Sequence, residues 1–533
     1  MLGTKKSGKW KIVLLVLSIL LVLTGCVGSG GSGGSSIPSG GEQTSTPGGQ
    51  TGQAGGQDAG AGKVIRVGVG SSLTTGDPHM TGSYADQAVL INIFDPLVRR
   101  DASGKLQPSL AVSWEIVGDK TWEFKLREGV KFHNGEDFNA ESVKFSLERV
   151  FKEGSKSPIQ ELRSFESVEF VDSHTVRIHT NTVDPYVPDK LALFAGMIVP
   201  PNYIQEKGEE YFHSNPVGTG PFVFESWVKD GSLKLKANPD YWGGAPKAMG
   251  VEFKFIPDAQ SRVAALLSGD VDVINSVPTT AIGSIESNAN LRLDKADGIR
   301  IYYMSTAYTS GPTQDKRVRQ AISYAIDTQL LIDKLMGGYA VQIAAPVATS
   351  NFGADVDLKP YPYDPQKAKQ LLAEAGYPNG FEIEMNTEPG IYTDIAQAIV
   401  QMLADVGIKV NLKPLPGAEF DDKYESGQLA PLWNSGYSIW QGDPTTLIST
   451  FFITGMPRAK YFNDEFDKMV NDMKQMTDAD QRKKALHDIL KKLHEDAPWV
   501  YLFQGNDLYG VNKNVNWSVP YDQLLEMKTA SIQ

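Results

Sequence analysis

Residues 435–452 read SGYSIWQGDPTTLISTFF, which sets two large rings, Tyr437 and Trp440, directly ahead of the turn Gly442-Asp443-Pro444. Turns favour small polar residues, so rings at such a place either close a core or wait for a ligand. Concave ligand sites are built from aromatic walls and a few polar groups that fix orientation. Trp440, Tyr437 and the nearby Trp433 are the candidate walls; Ser438 and Asp443 are the candidate polar groups. A second job stays open for two of them. Trp440 can pack in its own domain, and Asp443 can cap the turn or the helix that Pro444 begins.

Catalytic signatures are missing from the body of the chain. After residue 62 there is no Gly-x-Ser-x-Gly elbow, no Gly-x-x-x-x-Gly-Lys-Ser/Thr loop, no His-Glu-x-x-His and no cysteine. The histidines stand apart, at 79, 133, 174, 179, 213, 487 and 494. His174 and His179 belong to a hairpin-like stretch, VEFVDSHTVRIHT, where their spacing puts them on opposite faces. His133 has Asn134 and Asp137 beside it but lies within a packing motif, which makes it structural. Neither an enzyme, nor a metal site, nor a cofactor is expected. Net charge is -12 over 533 residues, and no basic block lies beyond the N-terminal few residues. A nucleic acid partner is therefore excluded, since phosphate binding needs a basic face.

The ends and bulk of the chain say where such a site would work. Lys5, Lys6, Lys9 and Lys11 precede an apolar run, IVLLVLSILLVL, that is shorter than the ~20 residues of a membrane span and suits a signal peptide over residues 1–25. Leu23-Thr24-Gly25-Cys26 resembles the lipobox of bacterial lipoproteins, which implies acylation of Cys26 and a lipid anchor rather than a spanning helix. The alternative is an uncleaved signal anchor with an incidental cysteine. Residues 26–62 continue as a Gly/Ser-rich stretch too polar to bury a core, read as a disordered tether with a reach of roughly 30 Å. With 41% hydrophobic and 21% charged residues, the remainder has an ordinary globular composition and the length for several domains.

The elements that must position the rings are legible from Lys63 onward. Val64–Val69 and Trp122–Arg127 alternate as strands, the latter with Trp122, Phe124 and Leu126 on one face. Asn139 is an N-cap for a helix carrying Val143, Leu147, Val150 and Phe151. Asp230-Gly231 joins two alternating runs into a hairpin. Further on, strands at 251–255, 271–274, 381–385 and 408–412 alternate with helices at 260–268, 365–375 and 395–406, the helices stopped by Gly269, Gly376 and Gly407. The fold class is α/β, mixed α+β, in several lobes.

Several stretches resemble one family in register. SLAVSWEIVGDKTWEFKLREGVKFHNGEDFNAESVKFSLERV at 109–150, NPVGTGPFVFESW at 215–227, Asn238-Pro239-Asp240-Tyr241-Trp242, DKRVRQAISYAID at 315–327, DPHM at 77–80 and YDPQKAKQLLAEAGYPNGFEIEM at 363–385 are similar to the family-5 extracellular solute-binding proteins of bacterial ABC importers. The resemblance implies a two-lobed, cluster C type periplasmic-binding-protein fold of three domains with a hinge. Domain I would gather 64–88, 215–300 and 505–533, domain II would be 89–214 and domain III 301–504, with a solute clamped between domains I and III. It implies a monomer that delivers a peptide-like or amphipathic solute to permease subunits with cytoplasmic ATPases, at the outer face of the cytoplasmic membrane. In the signature, Trp114, Trp122, Phe124 and Phe132 are expected to pack, and Gly135, Gly218 and Gly220 to serve turns.

The family's peptide binders carry Gly-Trp-x-x-Asp-x-x-Asp/Glu-Pro at the opening stretch, and its first Asp takes the ligand ammonium. In that register Tyr437 stands for the Trp and Trp440 for the Asp, while Ala307 stands for a frequent Asn. A ring cannot balance a buried ammonium by charge, although its face offers a cation-π contact of ~0.5–2 kcal/mol. The expected ligand is thus gripped by rings: a modified or cyclic peptide, an oligosaccharide or a metal chelate. A displaced carboxylate, Asp443, Asp421 or Asp422, would restore a standard peptide. A solute-sensing receptor or a chaperone on the same fold is the alternative use.

Overall fold

Residues 63–101, 104–308 and 311–533 are described by the computed structural model; the leader, Cys26 and the tether lie outside them. Among the described residues no helix is long and apolar enough to cross a membrane.

Two strands of unusual length organise the chain. Leu291–Thr306 and Trp499–Asn512 pair antiparallel along most of their length. They sit in the middle of an eleven-stranded mixed sheet. To one side follow Val273–Ile274, Val64–Val69, Gly250–Phe255, Ser232–Ala237 and Phe222–Val228. To the other lie Leu432–Ser438, Phe381–Thr387 and Ile408–Pro414, with Ala340–Gln342 added to the Trp499 strand. Both long strands run through the boundaries expected at 300 and 504. Their register shifts between Asp297 and Ile301, where a Cβ on Gly298 would come within 2.6 Å of the Gly505 carbonyl. Only a glycine lets the two backbones approach so closely.

Local chemistry accounts for most of the elements. Asn139 caps the helix Ala140–Phe151 through a capping box with Ser142, and the Val143, Leu147 and Val150 stripe is buried. That helix covers one face of a four-stranded antiparallel sheet in the order Ala111–Gly118, Thr121–Leu126, Thr175–Thr180, Phe165–Asp172. Asp230, at φ 57°, turns the hairpin between Phe222–Val228 and Ser232–Ala237. Phe381–Thr387, the helix Ile391–Ala404 and Ile408–Pro414 form a parallel β-α-β unit. The helix begins one turn earlier than the periodicity suggests, because Gly390 supplies its start. The strand expected at 271–274 shortens to Val273–Ile274.

Gly218 and Gly220 differ from expectation in their reason. Cβ atoms there would lie 2.1 Å from the Ile93 carbonyl oxygen and 2.5 Å from its carbonyl carbon. Close packing of two backbones, rather than a turn, demands them. Gly135, at φ 88°, does serve a turn. His133 is pinned between these loops: one ring nitrogen faces the Gly220 carbonyl at 2.9 Å, and burial lowers its pKa. His174 lies in the hairpin turn itself rather than on a strand face.

Candidate ligand-binding site

The strand Leu432–Ser438 pairs with the long strand so that Gly436 faces Tyr302, Tyr437 faces Ile301 and Ser438 faces Arg300. Beyond it the chain turns through 439–444 with Gly442 at φ 70°, where a Cβ would lie 2.8 Å from the Arg100 guanidinium carbon. Arg100 Nη2 donates to the Gln441 carbonyl at 2.7 Å and to Asp189 at 2.6 Å. This loop is a crossroads, for Tyr186 meets Thr445 at 3.2 Å and Gln441 donates to Glu161 at 3.3 Å. Residues distant in sequence thus converge on one turn.

Trp440 leaves that turn to stack on Tyr84, with ring centroids 5.5 Å apart and planes 10° from parallel. Tyr84 opens the helix Tyr84–Leu90, and its hydroxyl donates to the Asp522 carbonyl. Trp440 lines a cavity of about 320 Å³ together with Ile91, Arg99, Arg100, Tyr521 and Asp522. Its indole N–H is buried without an acceptor among the described residues. A donor left unpaired in this way costs free energy unless something arrives to accept from it.

The other sequence candidates separate. Tyr437 is half-buried and meets Phe451 edge-on at 5.6 Å. Trp433 is 3% exposed, with Tyr303 and Tyr424 set edge-on at 5.6 and 5.2 Å, so the wall it was expected to offer is buried in core packing. Asp443 accepts from the Thr445 backbone at 2.8 Å and pairs with Arg482 at 3.1 Å. Burial raises its pKa while Arg482 opposes the rise. Arg482 in turn lies over the rings of Tyr186 and Phe352. Asp443 is committed to holding the turn. Asp421 and Asp422 are exposed on the helix Gly417–Glu425.

Ser438 leads to charged groups that the sequence reading did not single out. Its hydroxyl accepts from Arg300 Nη1 at 3.4 Å. Arg300 Nε donates to the Tyr392 hydroxyl at 3.0 Å, and the guanidinium sits near the Tyr302 and Tyr392 rings. Among the described residues no carboxylate lies within 4 Å of it. Burial pulls its pKa down, and Tyr392, Tyr302 and Glu388 more than offset that. Glu388, which accepts from Ser435 at 3.0 Å, is raised by burial.

Acids of the opposite need stand nearby. Asp507 accepts from Gln523 at 2.8 Å, and burial raises it to about 6. Asp522 accepts from the Leu524 backbone at 3.1 Å and is likewise raised by burial to about 6. Neither has a basic side chain within 4 Å among the described residues. Both acids act electrostatically on Tyr84, and Tyr302 feels both Arg300 and Asp507. The arrangement therefore offers a flat aromatic surface, and one guanidinium and two carboxylates without an ion-pair partner within 4 Å among the described residues. Such a set can bind a solute bearing both signs of charge.

The chain matches a family model described as bacterial extracellular solute-binding proteins, family 5 middle, over residues 105–456. Heme-binding protein A of Haemophilus influenzae is 30% identical over 443 residues, covering 76% of this chain and 81% of that protein. Glutathione-binding protein GsiB of Pectobacterium atrosepticum is 32% identical over 458 residues, covering 83% of this chain and 88% of that protein. The solved structure of HbpA2 from Haemophilus parasuis superposes with a TM-score of 0.81 at 25% identity, covering 88% of this chain and all of that one. The fold is accordingly the mixed α/β architecture of periplasmic binding proteins. The chain belongs to the family-5 extracellular solute-binding proteins of bacterial ABC importers, whose members capture solutes and are not enzymes.

Proposed function

We propose that this protein captures a peptide-like, zwitterionic solute between the Tyr84 and Trp440 region and the two long strands, and hands it to the permease of an ABC importer. Arg300 carries this reading. A largely buried guanidinium with no carboxylate within ion-pair distance among the described residues is costly unless a ligand supplies the anion. A ligand carboxylate on Arg300, an amine near Asp507 or Asp522 and a ring or chain against the Trp440 face, with a ligand oxygen accepting from its indole N–H, would meet each of these groups. Glutathione, named for one relative, is a small peptide with an ammonium group and two carboxylates, so it supplies both signs of charge. The Asp507 and Asp522 pair takes the role that the family motif gives to the residue at position 440.

Acylation at Cys26 would hold the body at the outer face of the cytoplasmic membrane as a monomer on its tether, within reach of its permease. A metal chelate is the second reading. It is favoured by the parallel Tyr84 and Trp440 rings, a surface for a flat macrocycle with acidic side groups, and by the name of the heme-binding relative.

Native mass spectrometry of the purified protein, followed by calorimetric titration with glutathione, tests the proposal. A retained compound with a free carboxylate, or glutathione binding that Arg300→Met weakens by roughly thirtyfold or more, is the expected result. An uncharged sugar in the cleft, or binding indifferent to Arg300, would overturn it. Solute import that is unchanged in cells lacking this protein would favour a sensing role.

A further inference from the structure

A second cavity, of about 630 Å³, lies across the 441–445 turn from the one that Trp440 lines. Its walls come from residues 160–190 on one side and 441–475 on the other. The Arg100 and Asp189 ion pair stands between the two cavities: Arg100 lines the first and Asp189 the second. Most charges around the second cavity are already matched. Asp184 pairs with Lys190 at 2.6 Å, Asp189 with Arg100 at 2.6 Å and Asp443 with Arg482 at 3.1 Å.

Two charges are left over, one on each wall. Glu161 accepts only from Gln441 Nε2 and its neighbour's backbone N–H, and has no basic group within 4 Å among the described residues. Lys474, at the end of the helix Asp464–Met473, has no acceptor for its ammonium among the described residues, and burial alone lowers its pKa. The rest of the lining combines apolar Val183, Ile453 and Met456 and the Tyr186 ring with hydroxyls such as Thr446 and Ser449. One unmatched charge of each sign on the two walls, with apolar lining residues in the same cavity, matches a molecule that carries an ammonium, a carboxylate and a hydrocarbon side group.

We infer that this cavity is a second solute site, for a small zwitterion of the α-amino acid type, with its ammonium on Glu161 and its carboxylate on Lys474. It is separate from the site built around Arg300. Because its walls belong to segments joined at the 441–445 turn by the Gln441–Glu161 and Tyr186–Thr445 contacts, occupancy would tie them together and hold Trp440 against Tyr84.

L-Leucine is the probe, titrated calorimetrically into the intact protein. Glu161→Gln and Lys474→Met should each weaken leucine at least tenfold, and Arg300→Ala and Asp507→Asn should leave it within twofold. Isocaproate and isoamylamine, each lacking one charge of leucine, should bind at least tenfold more weakly. Both substituted positions are partly exposed, and unchanged melting temperatures confirm folding. The inference is overturned if leucine gives no heat at millimolar concentration, if Arg300→Ala abolishes its binding, or if isocaproate binds as well as leucine.

Discussion

Arg149 and Arg300 are both withdrawn from bulk water, and they have opposite surroundings. Arg149 meets Asp77 at 2.7 Å, pairs also with Glu209, and approaches His79 at 3.1 Å; His213 closes the group at 3.5 Å from Asp77. Burial pushes the Asp77 pKa up, but His213, Arg149 and His79 together hold it well below the usual carboxylate range. The acids and histidine of this group stand close enough to share a metal ion, yet an arginine already fills the middle. Arg300 has hydroxyls and aromatic rings around it instead of carboxylates. A completed charge network is what a scaffold needs, and the incomplete one at Arg300 is where the proposed solute would supply the missing anion.

The sharpest way to break this distinction is to exchange the consequences. Asp77→Asn should cost about 3–5 kcal/mol of stability, because it removes the buried partner of Arg149 and leaves only the half-exposed Glu209, while solute affinity stays unchanged; chemical denaturation and calorimetry read the two. Arg300→Met should do the reverse. Losing a charge-assisted contact to a ligand carboxylate costs about 2–3 kcal/mol, or roughly thirty- to a hundredfold in Kd, and the melting temperature should hold or rise as an uncompensated charge disappears. If Arg300→Met unfolds the protein, Arg300 is scaffold after all.

The same contrast explains what was legible in the sequence. Asn139 with Ser142, the Asp230-Gly231 hairpin and the glycine stops at 269 and 407 announce themselves because their reasons lie within a few residues. Gly218 and Gly220 were read as turn residues because their true constraint, the Ile93 backbone, lies more than 120 positions away. Arg300 sits in an alternating run, GIRIYYMST, where a charged residue passes for the solvent-facing side of a strand. Only its neighbours Tyr392 and Ser438, brought in by tertiary pairing, reveal that the face is closed. Asp507 and Asp522 were hidden for the same reason. The ring at 440 was visible, since an indole before a Gly-Asp-Pro turn has no local purpose. Trp433 was equally conspicuous, and its two edge-on tyrosine partners show that conspicuousness alone does not separate core from site.

Trp440 tests that separation at a smaller scale. Trp440→Ala should weaken solute binding more than tenfold, the scale expected for losing a large aromatic contact, with little change in melting temperature because the ring is shared between two surfaces rather than enclosed by one. Tyr84→Ala should reproduce most of the effect, since the two rings form a single stack. Equal loss of stability with intact affinity would assign the indole to the core.

The smallest effect concerns protons. Asp507 titrates near 6 in the folded protein because of burial, against about 3.9 in an unfolded chain. Between those values the folded state binds the extra proton, so this carboxyl stabilises the empty protein at low pH, and the gain is lost as pH rises through about 6. The empty protein should therefore lose on the order of 1–2 kcal/mol of stability between pH 5 and pH 7.5 relative to Asp507→Asn, whose neutral side chain removes the term. Affinity for an amine-bearing solute should move the other way, rising from pH 5 to pH 7.5 as the carboxylate forms. Asp507→Asn is itself the control, because the Arg149 and Asp77 group carries two histidines, His213 raised by Asp77 and His79 lowered by burial, that titrate near this range and slope both profiles alike. A wild-type profile that coincides with Asp507→Asn in both stability and affinity would remove the acid from the site and leave Arg300 to hold the solute by its carboxylate alone.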